Sequence, residues 1–115
     1  MSSKKALLAL LFWVAGVTYL SLMPFDPNAI EPFKHADKLG HFVFYGGMSF
    51  LILNAFTHKW KFKYVSALLL SICYGILIEN LQDVLNGGRH FDYFDIIANI
   101  SGAFIGTLVF YFKKN

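Results

Sequence analysis

Hydrophobic residues along this chain fall into four blocks, each bounded by polar or turn-forming residues. The first runs from Ala6 to Met23 and stops at Pro24, with Asp26-Pro27-Asn28 just beyond. The second runs from Phe42 to Phe56. The third covers Tyr64 to Ile78, continues amphipathically to Leu85 and meets Gly87-Gly88. The fourth runs from Ile96 to Phe112. A helix rises about 1.5 Å per residue, so roughly 20 residues cross the hydrocarbon core of a bilayer. The second and third blocks fall short of that unless their helices continue into the polar flanks. The pattern therefore predicts an all-α membrane protein of four transmembrane helices, spanning about 6–23, 41–57, 63–85 and 95–112. They would form one compact bundle, with residues 1–115 as a single domain.

The first block follows Lys4-Lys5 and so resembles a signal peptide. Its apolar run of 18 residues exceeds the usual length of such a segment, and no A-x-A-type site precedes Pro24. It reads as a retained anchor. The stretch from Pro24 to Gly40 contains Pro24, Pro27 and Pro32, which argue against a continuous helix there.

Composition narrows the class. Of 115 residues, 57% are hydrophobic and 15% charged, against about 45–50% and about 25% in soluble domains. So little charge would cover a soluble surface poorly, which weighs against a soluble enzyme and a disordered tail. The basic residues lie in short flanks and not on one polar face, which excludes a nucleic-acid partner. Cys73 sits within an apolar block and reads as a small buried hydrophobe. The chain has no P-loop, no G-x-G-x-x-G, no G-x-S-x-G and no zinc-type spacing, so no cofactor and no metal is expected.

The net charge of +3 conceals a segregation. Lys4, Lys5, Lys59, Lys61, Lys63, Lys113 and Lys114 flank the blocks without an acid among them. All seven acids lie in the other two connections, where the only bases are Lys34, Lys38 and Arg89. By the positive-inside rule both termini and the 57–63 loop are cytoplasmic. Trp60, Tyr64 and Tyr111 fall at that same interface, where amphipathic rings are favoured.

Polar residues at helical spacing mark a candidate site on the opposite side. Asp37 and His41, Glu79 with Gln82 and Asp83, and Asp95 and Asn99 each lie three or four positions apart, so each group shares a helix face. Arg89, His90 and Asp92 lie in the adjoining connection. An acid inside a span is costly and usually faces a bundle interior or cavity, which makes Glu79 the most telling member. Its expected partner is Arg89, His41 or a proton shared with a neighbouring acid. Bland readings stand beside this one. Asp92 and Asp95 suit the start of a helix, and Gln82 and Asn99 suit hydrogen bonding between helices. Ala98, Gly102 and Gly106 form a small-residue ladder that permits close approach, so the fourth helix is expected to pack on the second and third. Ser71, Gly75 and Glu79 share a stripe on the third.

The same residues carry a resemblance. Asp37-Lys38-Leu39-Gly40-His41 with Tyr45 resembles the D-K-x-x-H-x-x-x-Y entry of the VanZ-like family. Glu79-Asn80-Leu81-Gln82 resembles its E-x-x-Q, and Arg89, Asp92, Asp95, Asn99 and Gly102 resemble its R…D-x-x-x-N-x-x-G stretch. The likeness covers roughly residues 35–106. It implies a multi-pass protein of the bacterial plasma membrane, in a family named for teicoplanin resistance. Its partners would be the lipid bilayer and a lipid-linked or cell-wall group at an outward-facing polar pocket; an oligomer is compatible with this. Two alternatives stay open: an intramembrane enzyme acting on a lipid, and a structural or interaction protein whose polar stripe only joins helices.

Overall fold

The computed structural model describes residues 3–23, 36–56, 62–85 and 93–114. Four helices account for nearly all of them: α1 (Ser3–Leu22), α2 (Ala36–Ala55), α3 (Lys63–Leu85) and α4 (Tyr93–Lys114). No strand occurs among the described residues. Each helix is longer than its apolar block because it continues into the polar flanks. At its start α2 reaches back to Ala36 and carries Lys38 and His41 inside its first two turns, and α3 runs on past Ile78 to Leu85. α1 ends just before Pro24, as the residue preceding a proline disfavours helical geometry.

The helices run antiparallel in sequence order. α2 packs most extensively on α4 and also touches α1 and α3; α3 touches all three others, while α1 and α4 do not meet. The bundle is 46 Å long and 23 Å across, close to the roughly 40–45 Å of a bilayer with its headgroups. Its exterior is apolar: Phe12 is 78% exposed, and Leu11, Leu69, Leu77, Ile97, Phe104 and Val109 are all exposed. Its interior holds polar groups, with Glu79 only 2% exposed and Ser49, Ser71 and Asn99 equally hidden. Apolar outside and polar inside is the arrangement of a helix bundle in lipid.

Three helices, α1, α3 and α4, are long and apolar enough to cross a membrane; α2 is not, which corrects the expectation of four such spans. The reason is its place in the bundle. Wedged among the other three, α2 exposes little to lipid, so His41, Ser49, Asn54, Gly46 and Gly47 are tolerated in its interior faces. Cys73 is also corrected: it is exposed on the outer face of α3 and is not in the core.

Small residues set the helix spacing. A Cβ at Gly102 would strike the backbone of Phe42, and one at Gly106 would strike the carbonyl of Gly46 and the hydroxyl of Ser49. A Cβ at Gly46 would sit 2.9 Å from the Gly102 carbonyl oxygen. α2 and α4 therefore touch backbone to backbone, which only glycine permits. Ala98, one turn earlier on α4, is half-buried. Ser49 donates to the Ala103 carbonyl at 2.8 Å across the same seam. On the other side of α2, Gly47 makes room for the ring of Trp13, whose Nε1–H donates to the Phe44 carbonyl at 2.7 Å.

Candidate functional site

The C-terminal end of α3 and the N-terminal ends of α2 and α4 meet at one end of the bundle, and there the polar side chains converge. Asn99 projects from the second turn of α4 because Gly75 on α3 leaves room for its amide. A Cβ at Gly75 would lie 2.7 Å from Asn99 Nδ2 and 3.3 Å from Tyr45 Cε1. Across the seam, His41 Nδ1 lies 3.1 Å from Asn99 Oδ1. An amide oxygen only accepts, so Nδ1 carries the proton and donates. The other ring nitrogen, Nε2, faces Asp95 Oδ2 at 3.7 Å.

Asp95 sits in the first turn of α4, where the helix dipole favours a negative charge. Its other oxygen, Oδ1, lies 2.8 Å from Lys38 Nζ. Lys38 precedes His41 by three residues, and Asp95 precedes Asn99 by four, so both pairs stack along facing stripes of α2 and α4. One turn below His41, the Tyr45 ring lies parallel to the imidazole with centroids 6.5 Å apart. Tyr45 is fully buried, and its hydroxyl interacts electrostatically with Glu79 and Tyr74. Tyr45 Oη, Ser71 Oγ and Asn99 Nδ2 are buried without a hydrogen-bond partner among the described residues. Asn99 and the Tyr45 ring both approach Gly75 near the middle of α3, and Ser71 lies one turn before it on the same stripe.

The residues expected from sequence fall into three groups. His41, Asp95 and Asn99 are joined to one another, and Glu79 lies beneath them near Tyr45. Gln82 is buried but does different work: its Nε2 donates to the Ser21 carbonyl at 2.7 Å. That carbonyl is one of the last four of α1, which have no partner within their own helix, so Gln82 ties α3 to α1. Arg89 and Asp92, with His90, lie outside the described residues, as does the side chain of Asp37, whose backbone is in the first turn of α2. Among the described residues no three His, Cys, Asp or Glu side chains are grouped to hold a metal ion.

Three participants were outside the candidate set. Lys38 pairs with Asp95, Tyr45 stacks on His41, and Gly75 seats Asn99. The helical spacing 38, 41, 45 on α2 was the signal for the first two. For Gly75 the stripe Ser71, Gly75, Glu79 marked the helix face, but not that Asn99 would fill the space beside it.

The arrangement brings a buried imidazole and a buried carboxylate, His41 and Asp95, within 3.7 Å of each other, flanked by Asn99 and Lys38 above a carboxylate and a phenol. An apolar exterior around such a core defines a small helical membrane protein. Comparison with known families then fixes its kinship: the VanZ/LLP1 family model matches residues 5–114, and the chain belongs to that family. No curated protein and no solved structure matches it.

Proposed function

We propose that the chain spans the bacterial plasma membrane four times, α2 being the fourth span, and engages a cell-envelope or lipid-linked group at its polar end. The observation that carries this reading is the convergence of Lys38, His41, Asp95 and Asn99, from two helices, above the buried Glu79. A bundle that needed only glue would not bury Tyr45 Oη, Ser71 Oγ and Asn99 Nδ2 without partners, since each such group costs about 1–3 kcal/mol. The site would take hydrogen-bonding and charged groups of a ligand at Asp95, His41 and Lys38, with Arg89 and Asp92 in the adjoining connection as further contacts. The charge segregation supports placing the polar end outside and both termini in the cytoplasm.

Within the family named for teicoplanin resistance, the expected phenotype is protection against glycopeptides. The test is to express the parent protein, Glu79→Gln and Asp95→Asn at matched levels and measure teicoplanin sensitivity. Both variants lose protection under this reading; unchanged protection in both would overturn it. The second reading, an intramembrane enzyme on a lipid substrate, rests on His41 and Asp95 being buried side by side, an imidazole and a carboxylate of the kinds that serve in general acid–base chemistry. Product formation from envelope lipids by the purified protein, abolished in His41→Gln, would select it.

A further inference from the structure

We propose that the opposite end of the bundle, where Lys63 and Lys113 converge on Phe110, binds the phosphate of an anionic phospholipid. The site is built from three helices. Lys63 opens α3, and its Nζ lies 5.3 Å from the Tyr64 ring centroid and 5.7 Å from that of Phe110. Lys113, in the last turn of α4, places its Nζ 5.3 Å from the Phe50 ring and 5.9 Å from the same Phe110 ring. It also donates to Asn54 Oδ1, on α2, at 3.0 Å. Tyr64 packs against Phe110 and Tyr111 edge-on or tilted, with centroids 6.2 and 6.0 Å apart.

Lysines at helix ends ordinarily extend into water and wander. These two are directed by ring faces and an amide oxygen, so the ordering that a ligand would otherwise impose is already present. Both ammonium groups lie within 6 Å of one ring centroid, so positive charge accumulates over a small area. No Asp or Glu is among the described residues at this end; Glu79, Asp83 and Asp95 all lie at the other. An anion held beside Phe110 is attracted to both ammonium groups. The shared chemistry is a phosphate, and the surroundings select its source. Phe62 and Phe112 are exposed beside the cluster at 65% and 69%, and acyl chains cover such rings where free phosphate cannot. Basic pockets between helices at a membrane surface bind lipid headgroups in this way. The inference is independent of the reading of the polar end.

The experiment uses the full chain purified in a neutral maltoside detergent. Thermal midpoint and binding are measured with phosphatidylglycerol, phosphatidylcholine or inorganic phosphate added. Phosphatidylglycerol is expected to stabilise the protein, while the other two do not. Lys63→Gln and Lys113→Gln each weaken phosphatidylglycerol binding about fivefold, the equivalent of ~1 kcal/mol per lysine near a surface. Lys5→Gln removes the same charge from the same end, on α1, and leaves the lipid preference in place. Lys63→Arg with Lys113→Arg preserves it too, and midpoints in phosphatidylcholine show that each variant is folded. Equal responses to phosphatidylglycerol and phosphatidylcholine would overturn the proposal. So would an equal response to inorganic phosphate, or a loss in Lys5→Gln as large as in the two site variants.

Discussion

His41 Nδ1 donates to Asn99 Oδ1 at 3.1 Å, joining α2 to α4 at the depth where both helices enter the bundle. With the amide oxygen as acceptor, Nδ1 is the protonated nitrogen, and Nε2 is the one turned towards Asp95. Asn99 is itself held by the absence of a side chain at Gly75. A glycine on α3 thus makes room for the amide that meets a histidine on α2.

Removing the amide should be felt in stability and not only in function. Asn99→Ala leaves the buried His41 Nδ1–H without its acceptor, at a cost of about 1–3 kcal/mol. His41→Ala in the Asn99→Ala background should cost less than His41→Ala alone, because the bond is already lost. A double-mutant cycle by reversible unfolding in detergent measures the coupling, expected near 1 kcal/mol. Additive costs would show that the two side chains act separately.

The Lys38–Asp95 pair should respond asymmetrically. Side-chain exposure is 25% for Lys38 and 6% for Asp95. Without Asp95, the lysine can turn towards water along its flexible stem. Without Lys38, the carboxylate stays buried, with His41 Nε2 at 3.7 Å as its remaining described neighbour. Lys38→Ala is therefore expected to destabilise by about 3 kcal/mol, and Asp95→Asn by less than about 1 kcal/mol. Unfolding midpoints of the two variants, compared at one pH, check the order; a greater loss in Asp95→Asn would refute this account.

Glycine positions separate contact from propensity. Gly102→Ala and Gly106→Ala each drive a Cβ into α2 backbone, which cannot yield as a flexible side chain would. The helices must part, at about 1–3 kcal/mol for each substitution. Gly16 on α1 has nothing within 4 Å of a Cβ, so Gly16→Ala should be neutral or stabilise by up to about 1 kcal/mol through helix propensity. Thermal midpoints that fall for 102 and 106 and hold or rise for 16 are the expected result.

What was legible from the chain follows from what helical periodicity encodes. The third helix was expected over 63–85 and runs Lys63–Leu85, because its apolar run and polar continuation keep one period up to the glycine pair. The second span was expected from about 41, with Asp37 and His41 on one helix face, and α2 begins five residues earlier at Ala36. Its first turns are helical although polar because Lys38 and His41 meet Asp95 and Asn99 of α4. Intrahelical stripes such as His41–Tyr45 and Asp95–Asn99 were visible at a spacing of four. Pairings between helices were not. Gln82 finds a backbone carbonyl at Ser21, and Trp13 finds one at Phe44, and a backbone acceptor leaves no mark in the sequence.

The Gln82–Ser21 contact gives the remaining prediction. α1 is fastened to α3 near this end by two polar contacts: the Thr18 hydroxyl with the Tyr74 hydroxyl, and Gln82 Nε2 with the Ser21 carbonyl. α1 does not touch α4 at all, so these contacts and the packing on α2 are what hold it. Gln82→Leu keeps most of the side-chain volume but leaves a terminal carbonyl of α1 buried without its donor, costing about 1–3 kcal/mol. The loss should be local. Amide hydrogen exchange is expected to quicken over the last turns of α1 while the α2–α4 seam keeps its protection, because Ser49 and the glycine contacts there are untouched. Faster exchange at both places would show that α1 is part of one cooperative unit with the seam, and uniform protection would show that Gln82 bears no weight at α1.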